Sequence, residues 1–126
     1  MLVRGPEGLI ENNLIEGVGG CGIALENEYG TFYEGPFPND IIMQNNTIID
    51  VGGVPINIYG RTGENHTYQI RNIKIFDNQI CQNVPPLVSI FNAQGVELKG
   101  NNYRAVDGSR VLNPVRIEQC RNVVKD

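Results

Sequence analysis

Two segments of the chain concentrate side chains suited to chemistry. The first spans residues 26–40 and carries Glu26, Glu28, Glu34 and Asp40 among the rings of Tyr29, Phe32, Tyr33 and Phe37. Rings of this kind offer flat apolar faces, and carboxylates accept hydrogen bonds from hydroxyl groups. Acids and aromatics together therefore suit a polyol such as a sugar. Two carboxyl groups facing each other across a glycosidic bond are what hydrolysis requires. A gap of about 5 Å gives retention and one of about 6.5–9.5 Å gives inversion. Glu28 and Glu34 are the candidates for that pair, with Glu26, Tyr29, Tyr33 and Asp40 as substrate-binding residues. The competing reading is a structural loop whose rings cover the edge of the fold and whose acids are solvated.

The second segment holds Tyr59, Arg61, Glu64, His66 and Tyr68. His66 is the sole histidine and titrates in the range a general acid or base needs, although a lone loop histidine is more often merely exposed. Arg61 is placed to clamp a carboxylate or to balance Glu34. Tyr59, Arg61 and His66 join the substrate-binding set. The acids follow no calcium-loop pattern, so no metal site is expected, and no cofactor motif is present. Two sequons, at Asn45-Asn46-Thr47 and Asn65-His66-Thr67, are short matches, and a glycan on Asn45 would crowd a repeated Asn position described below.

What must hold these segments is an internal repeat. The stretches Gly8–Ile15, Ile41–Ile48, Ile73–Ile80 and Val96–Tyr103 align, each with alternating apolar residues, then Asn, then a bulky residue two positions on. Period-two alternation marks a strand with one buried face, so Ile73, Ile75, Val96 and Leu98 should point inward while Lys74, Phe76, Glu97 and Lys99 point out. The Asn column is Asn13, Asn46, Asn78 and Asn101, spaced by 33, 32 and 23 residues. Asn tolerates left-handed corner geometry, and amides stacked over one another can bond as a ladder. A weaker fifth copy is read at Val115–Cys120, with Cys120 closing the column.

A second alternating pair follows each Asn: Ile23 and Leu25, Ile56 and Ile58, Val88 and Ile90, with only Val111 in the fourth copy. Gly19-Gly20, Gly52-Gly53 and Pro85-Pro86 mark the turn before it. About two dozen residues per copy suits one coil of a solenoid with roughly three short strands. The expectation is an all-β, right-handed parallel β-helix of about four to five rungs, forming one domain over residues 1–126. The two chemical segments are then insertions leaving the same corner of consecutive coils, walling a groove. An antiparallel sandwich would explain alternation but not the aligned Asn register.

Composition narrows the class further. Net charge is −4 with Lys and Arg scattered, which argues against nucleic acid as a partner. No apolar run approaches the ~20 residues that span a bilayer, so no membrane partner is expected. Cys21, Cys81 and Cys120 form no metal or redox motif and read as small core residues. No capping helix precedes Gly8. The chain is therefore expected to be the C-terminal part of a longer solenoid, or to self-associate through an open end.

The I-x-I-x-x-N-x-I copies resemble the pectate-lyase-like superfamily of right-handed parallel β-helix proteins. Gly22–Glu26, Tyr33-Glu34-Gly35-Pro36 and Asp40–Asn46 look like the β-helix glycosidases that include bacterial α-1,3-galactosidases. That resemblance implies a secreted or periplasmic bacterial parent acting as an exo-glycoside hydrolase on a carbohydrate substrate, without an organic cofactor. Those enzymes draw key acids from an Asp-Asp strand motif on earlier rungs, and this sequence has no Asp-Asp pair. On this resemblance the chain supplies substrate-side residues such as Tyr33 and Glu34 and is not expected to be active by itself. A polysaccharide lyase, which would need a base such as Arg61, and a non-catalytic binding solenoid are the alternatives.

Overall fold

The computed structural model describes residues 7–26, 39–60 and 70–126, together with the backbone of residues 2–3. Every strand pair among them is parallel, which removes the antiparallel sandwich. The chain winds through three sheets in rotation and forms a parallel β-helix of about four coils.

Sheet B takes the first strand of each copy: β2 (Gly8–Glu11), β5 (Asn39–Gln44), β8 (Ile70–Phe76), β11 (Ala93–Lys99) and β14 (Arg121–Lys125). Sheet C takes the residues after the column Asn: β3 (Leu14–Glu16), β6 (Thr47–Ile49), β9 (Gln79–Cys81) and β12 (Asn102–Arg104). Sheet A takes the second alternating pair: β4 (Ile23–Glu26), β7 (Ile56–Tyr59), β10 (Val88–Phe91) and β13 (Val115–Glu118), with β1 (Leu2–Val3) beside β4.

The repeat alignment is the pairing register. Gly8 pairs with Ile41, Ile41 with Ile73, and Ile73 with Val96. Ile23, Ile56 and Val88 line up likewise in sheet A, as do Leu25, Ile58 and Ile90. The inward columns of all three sheets meet in one core that includes Met43, Ile48, Ile58, Ile75, Ile80 and Leu98.

The Asn column forms a ladder along the corner between sheets B and C. The side-chain amide of Asn13 donates to Oδ1 of Asn46 at 3.0 Å, Asn46 to Asn78 at 3.0 Å, and Asn78 to Asn101 at 2.9 Å. Each acceptor also takes the backbone N–H of the Asn below it. The second amide hydrogens of Asn46, Asn78 and Asn101 reach the carbonyls of Ile10, Met43 and Ile75. Asn46 and Asn78 are wholly buried, so the ladder satisfies polar groups that have no access to water.

Corner geometry also explains the richness in Asn, Asp and Gly. Asn12, Asn45, Asp77 and Gly100, each one place before a ladder Asn, all have positive φ, between 55° and 71°. This left-handed region is where Asn, Asp and Gly are tolerated. At the turn into sheet A, Gly52 comes so close to the coil below that an added Cβ would lie 2.3 Å from the carbonyl oxygen of Gly19.

The fifth copy corrects the sequence reading. Val115 and Ile117 pair with Val88 and Ile90, so β13 is the fourth coil's sheet A strand and not a new sheet B strand. The sheet B strand of that further turn is β14, with Val123 over Val96. Cys120 is therefore not in the Asn column; its thiol lies within hydrogen-bond reach of the carbonyls of Glu118 and Ile90, at 3.1 and 3.5 Å. Val111 lies in the turn preceding β13, not in a strand. The cause is the connection 105–114, which is longer than its counterpart 82–87. It holds an extra turn closed by bonds from the Ala105 N–H to the Ser109 carbonyl and from the Gly108 N–H to the Ala105 carbonyl.

Candidate functional site

Sheet A has a solvent-facing side made from the alternate positions of its strands. One row runs Ala24, Asn57, Ser89, Arg116, and the next runs Glu26, Tyr59, Phe91, Glu118. Their inward neighbours are the buried Leu25, Ile58 and Ile90 and, in the last strand, the 37% exposed Ile117. The core thus fixes which residues face out: a slip of one position would invert both faces.

The rings of Tyr59 and Phe91 stack with centroids 5.2 Å apart and planes 15° from parallel. This follows from pairing in register, since adjacent parallel strands lie about 4.8 Å apart. Tyr59 remains 41% exposed, so its ring is accessible. Beside the stack lies a cleft of about 420 Å³ lined by Asn57, Tyr59, Ser89, Phe91, Arg116 and Glu118. Arg116 crosses it, with Nε 3.4 Å from Glu118 Oε1 and a guanidinium N–H donating to Ser89 Oγ at 3.0 Å. Ser89 is almost fully covered, and this bond meets its hydrogen-bonding need.

The two insertions attach at this face. The first leaves after Glu26 and the second just past Tyr59, and those residues are register partners. They return to sheet B at neighbouring positions, Asn39 pairing with Arg71. In the third coil the same passage is the single residue Asn92, with φ 56°. The insertions therefore do leave and rejoin consecutive coils at the same corner. Glu28, Tyr29, Glu34 and Tyr33 of the first, and Arg61 and His66 of the second, lie outside the described residues.

Of the remaining sequence candidates, Glu26 and Tyr59 come together as neighbours in one outward row. Asp40 stands apart in sheet B, at φ 55°, where its Oδ1 accepts a hydrogen bond from the Asn72 side chain. Asn72, Gly95 and Asn122 hold the same left-handed position in the following strands, so Asp40 shapes a bend there. Phe91, Arg116 and Glu118 are site residues the sequence reading did not single out. Phe91 was detectable, since it follows the inward pair Val88 and Ile90 as Tyr59 follows Ile56 and Ile58. Arg116 and Glu118 were hidden by the misplaced fifth copy.

Strand spacing also limits what the row can do. Glu26 and Glu118 are three strands apart, about 14 Å at the usual separation, too far to flank one glycosidic bond. These two acids border a binding surface. A second concavity, of about 460 Å³, lies between β12 and residues 110–114, beside Arg104, Arg110 and Tyr103. Burial pushes the Tyr103 phenol up to about 12, against a lowering hydrogen bond from Asn101 and with a further rise from the Asp126 charge. Among the described residues, no group of three or more His, Cys, Asp or Glu is arranged to hold a metal.

The fold defines the chain as a parallel β-helix solenoid. Comparisons with protein-family models, with curated proteins and with solved structures gave no match.

Proposed function

We propose that this chain is the saccharide-binding portion of a carbohydrate-active β-helix protein, a glycoside hydrolase of the pectate-lyase-like type. The observation that carries the reading is the Tyr59–Phe91 stack in a row bordered by Glu26 and Glu118, at the corner where both insertions depart. An oligosaccharide lying along the solenoid axis would meet aromatic surface at the centre. An amide partner from Asn57 would sit at its side, with carboxylates at its ends. Glu28 and Glu34 are the proposed catalytic acids, and Tyr29, Tyr33, Arg61 and His66 the further proposed substrate-binding residues.

The test is binding and turnover on a panel of oligo- and polysaccharides. We expect saturable binding that falls at least tenfold in Tyr59→Ala and Phe91→Ala, both outward-facing changes. New reducing ends would mark a hydrolase. A rise in ultraviolet absorbance from an unsaturated product would instead mark a lyase, and binding without either would mark a non-catalytic solenoid. Absence of binding to every saccharide would overturn the proposal.

A further inference from the structure

We infer that the sheet A cleft accepts uncharged saccharides and rejects carboxylated ones, with Glu118 as the residue that sets this preference. The inference rests on the saccharide reading above. A uronate in the cleft would need a cation to receive its carboxylate. Among the described residues lining it, Arg116 is the sole cation, and its guanidinium lies against Glu118 at 3.4 Å and donates to Ser89 Oγ at 3.0 Å. Two of its five donors, on Nε and Nη2, are thus turned to partners within the protein, and the Glu118 carboxylate beside it offsets its charge.

The remaining charge points the same way. Glu26 and Glu118 bracket the aromatic pair, and among the described residues Arg116 pairs with Glu118. A carboxylate entering the cleft meets, at its border, the Glu26 charge, which no described residue lining the cleft other than Arg116 could offset. Held about 6 Å from it, the ligand carboxylate is disfavoured roughly threefold at the dielectric of water, and more in a less polar cleft. Asn57 offers an amide that donates and accepts without charge, which suits sugar hydroxyls.

The experiment compares dissociation constants for paired hexose and hexuronate oligomers of equal length and linkage, on the wild-type chain, Glu118→Gln and Arg116→Gln. Glu118 is exposed, with 56% of its side-chain surface accessible, so its replacement leaves the core intact. The wild type should bind the neutral partner at least threefold more tightly. Glu118→Gln should narrow or invert that ratio by strengthening uronate binding several-fold, since it removes a charge and releases Arg116. Arg116→Gln should widen the ratio. High salt should narrow the wild-type ratio. Equal or tighter uronate binding by the wild type, or an unchanged ratio in Glu118→Gln, would overturn the inference while leaving the saccharide reading standing. Failure of both oligomer classes to bind would overturn the saccharide reading, and this inference with it.

Discussion

Four hydrogen bonds converge on the buried carboxamide of Asn78, and truncating it to alanine tests whether the ladder holds the coils together. Its Oδ1 accepts the backbone N–H of Asn46 at 2.9 Å and the Asn46 side-chain amide at 3.0 Å. Its own amide donates to Asn101 Oδ1 at 2.9 Å and to the Met43 carbonyl at 3.2 Å. In Asn78→Ala two donors of Asn46, a residue with no exposed surface, lose their acceptor. At about 1–3 kcal/mol for each orphaned buried group, the loss is about 2–6 kcal/mol.

With a urea m-value of about 2 kcal/mol per molar, the unfolding midpoint should fall by about 1–3 M at unchanged m. Asn13→Ala is the control. It removes one amide bond to Asn46 Oδ1, which keeps the Asn13 N–H at 3.2 Å, and Asn13 itself is only half-buried. That change should cost less than about 1 kcal/mol. The assay is urea denaturation followed by far-ultraviolet circular dichroism on both variants and the wild type. Equal midpoints for Asn78→Ala and Asn13→Ala would refute the argument that burial of the ladder makes it stabilising.

Three further outcomes are expected. Gly60→Ala should destabilise by about 1–3 kcal/mol, because its Cβ would lie 2.4 Å from the backbone oxygen of Asn92; thermal unfolding would read this. Ile58→Ala, at a fully buried site, should cost about 2–5 kcal/mol, whereas Ile117→Ala in the same inward column should cost less because Ile117 is 37% exposed; denaturation midpoints compare the two. Tyr103 keeps its proton more firmly folded than unfolded, so between pH 10 and about 12 the unfolded chain binds fewer protons and stability falls as pH rises. Tyr103→Phe should remove that part of the decline in unfolding curves taken across the same range.

Much of this fold was legible in the residue pattern, for a local reason. Within a strand the side-chain period is two, and in a parallel stack like positions lie over like. Aligning Ile41, Ile73 and Val96 in the sequence therefore amounts to stating their pairing. The Asn column was readable on the same ground, since stacked amides bond one another only when their coils share a pitch. Asp40 shows where that logic stops. As an acid at the end of an acidic segment it reads as a ligand-binding group, and the pattern did not show that its φ of 55° and its bond with Asn72 also make it part of a column of backbone bends.

What residue order determined by itself is the coil: three strands, an Asn corner and an insertion point, each set by periodicity and by the few residue types that accept a left-handed backbone. Which coil a given V-x-I segment belongs to was decided only in three dimensions. Val115–Ile117 satisfies the pattern of either sheet, and the longer connection before it carries it into sheet A. That placement brings Arg116 and Glu118 beside Tyr59 and Phe91 and so completes the cleft. Alternation specifies a face, but the length of each turn specifies the neighbour, because strand pairing acts between residues about thirty positions apart that nothing local distinguishes.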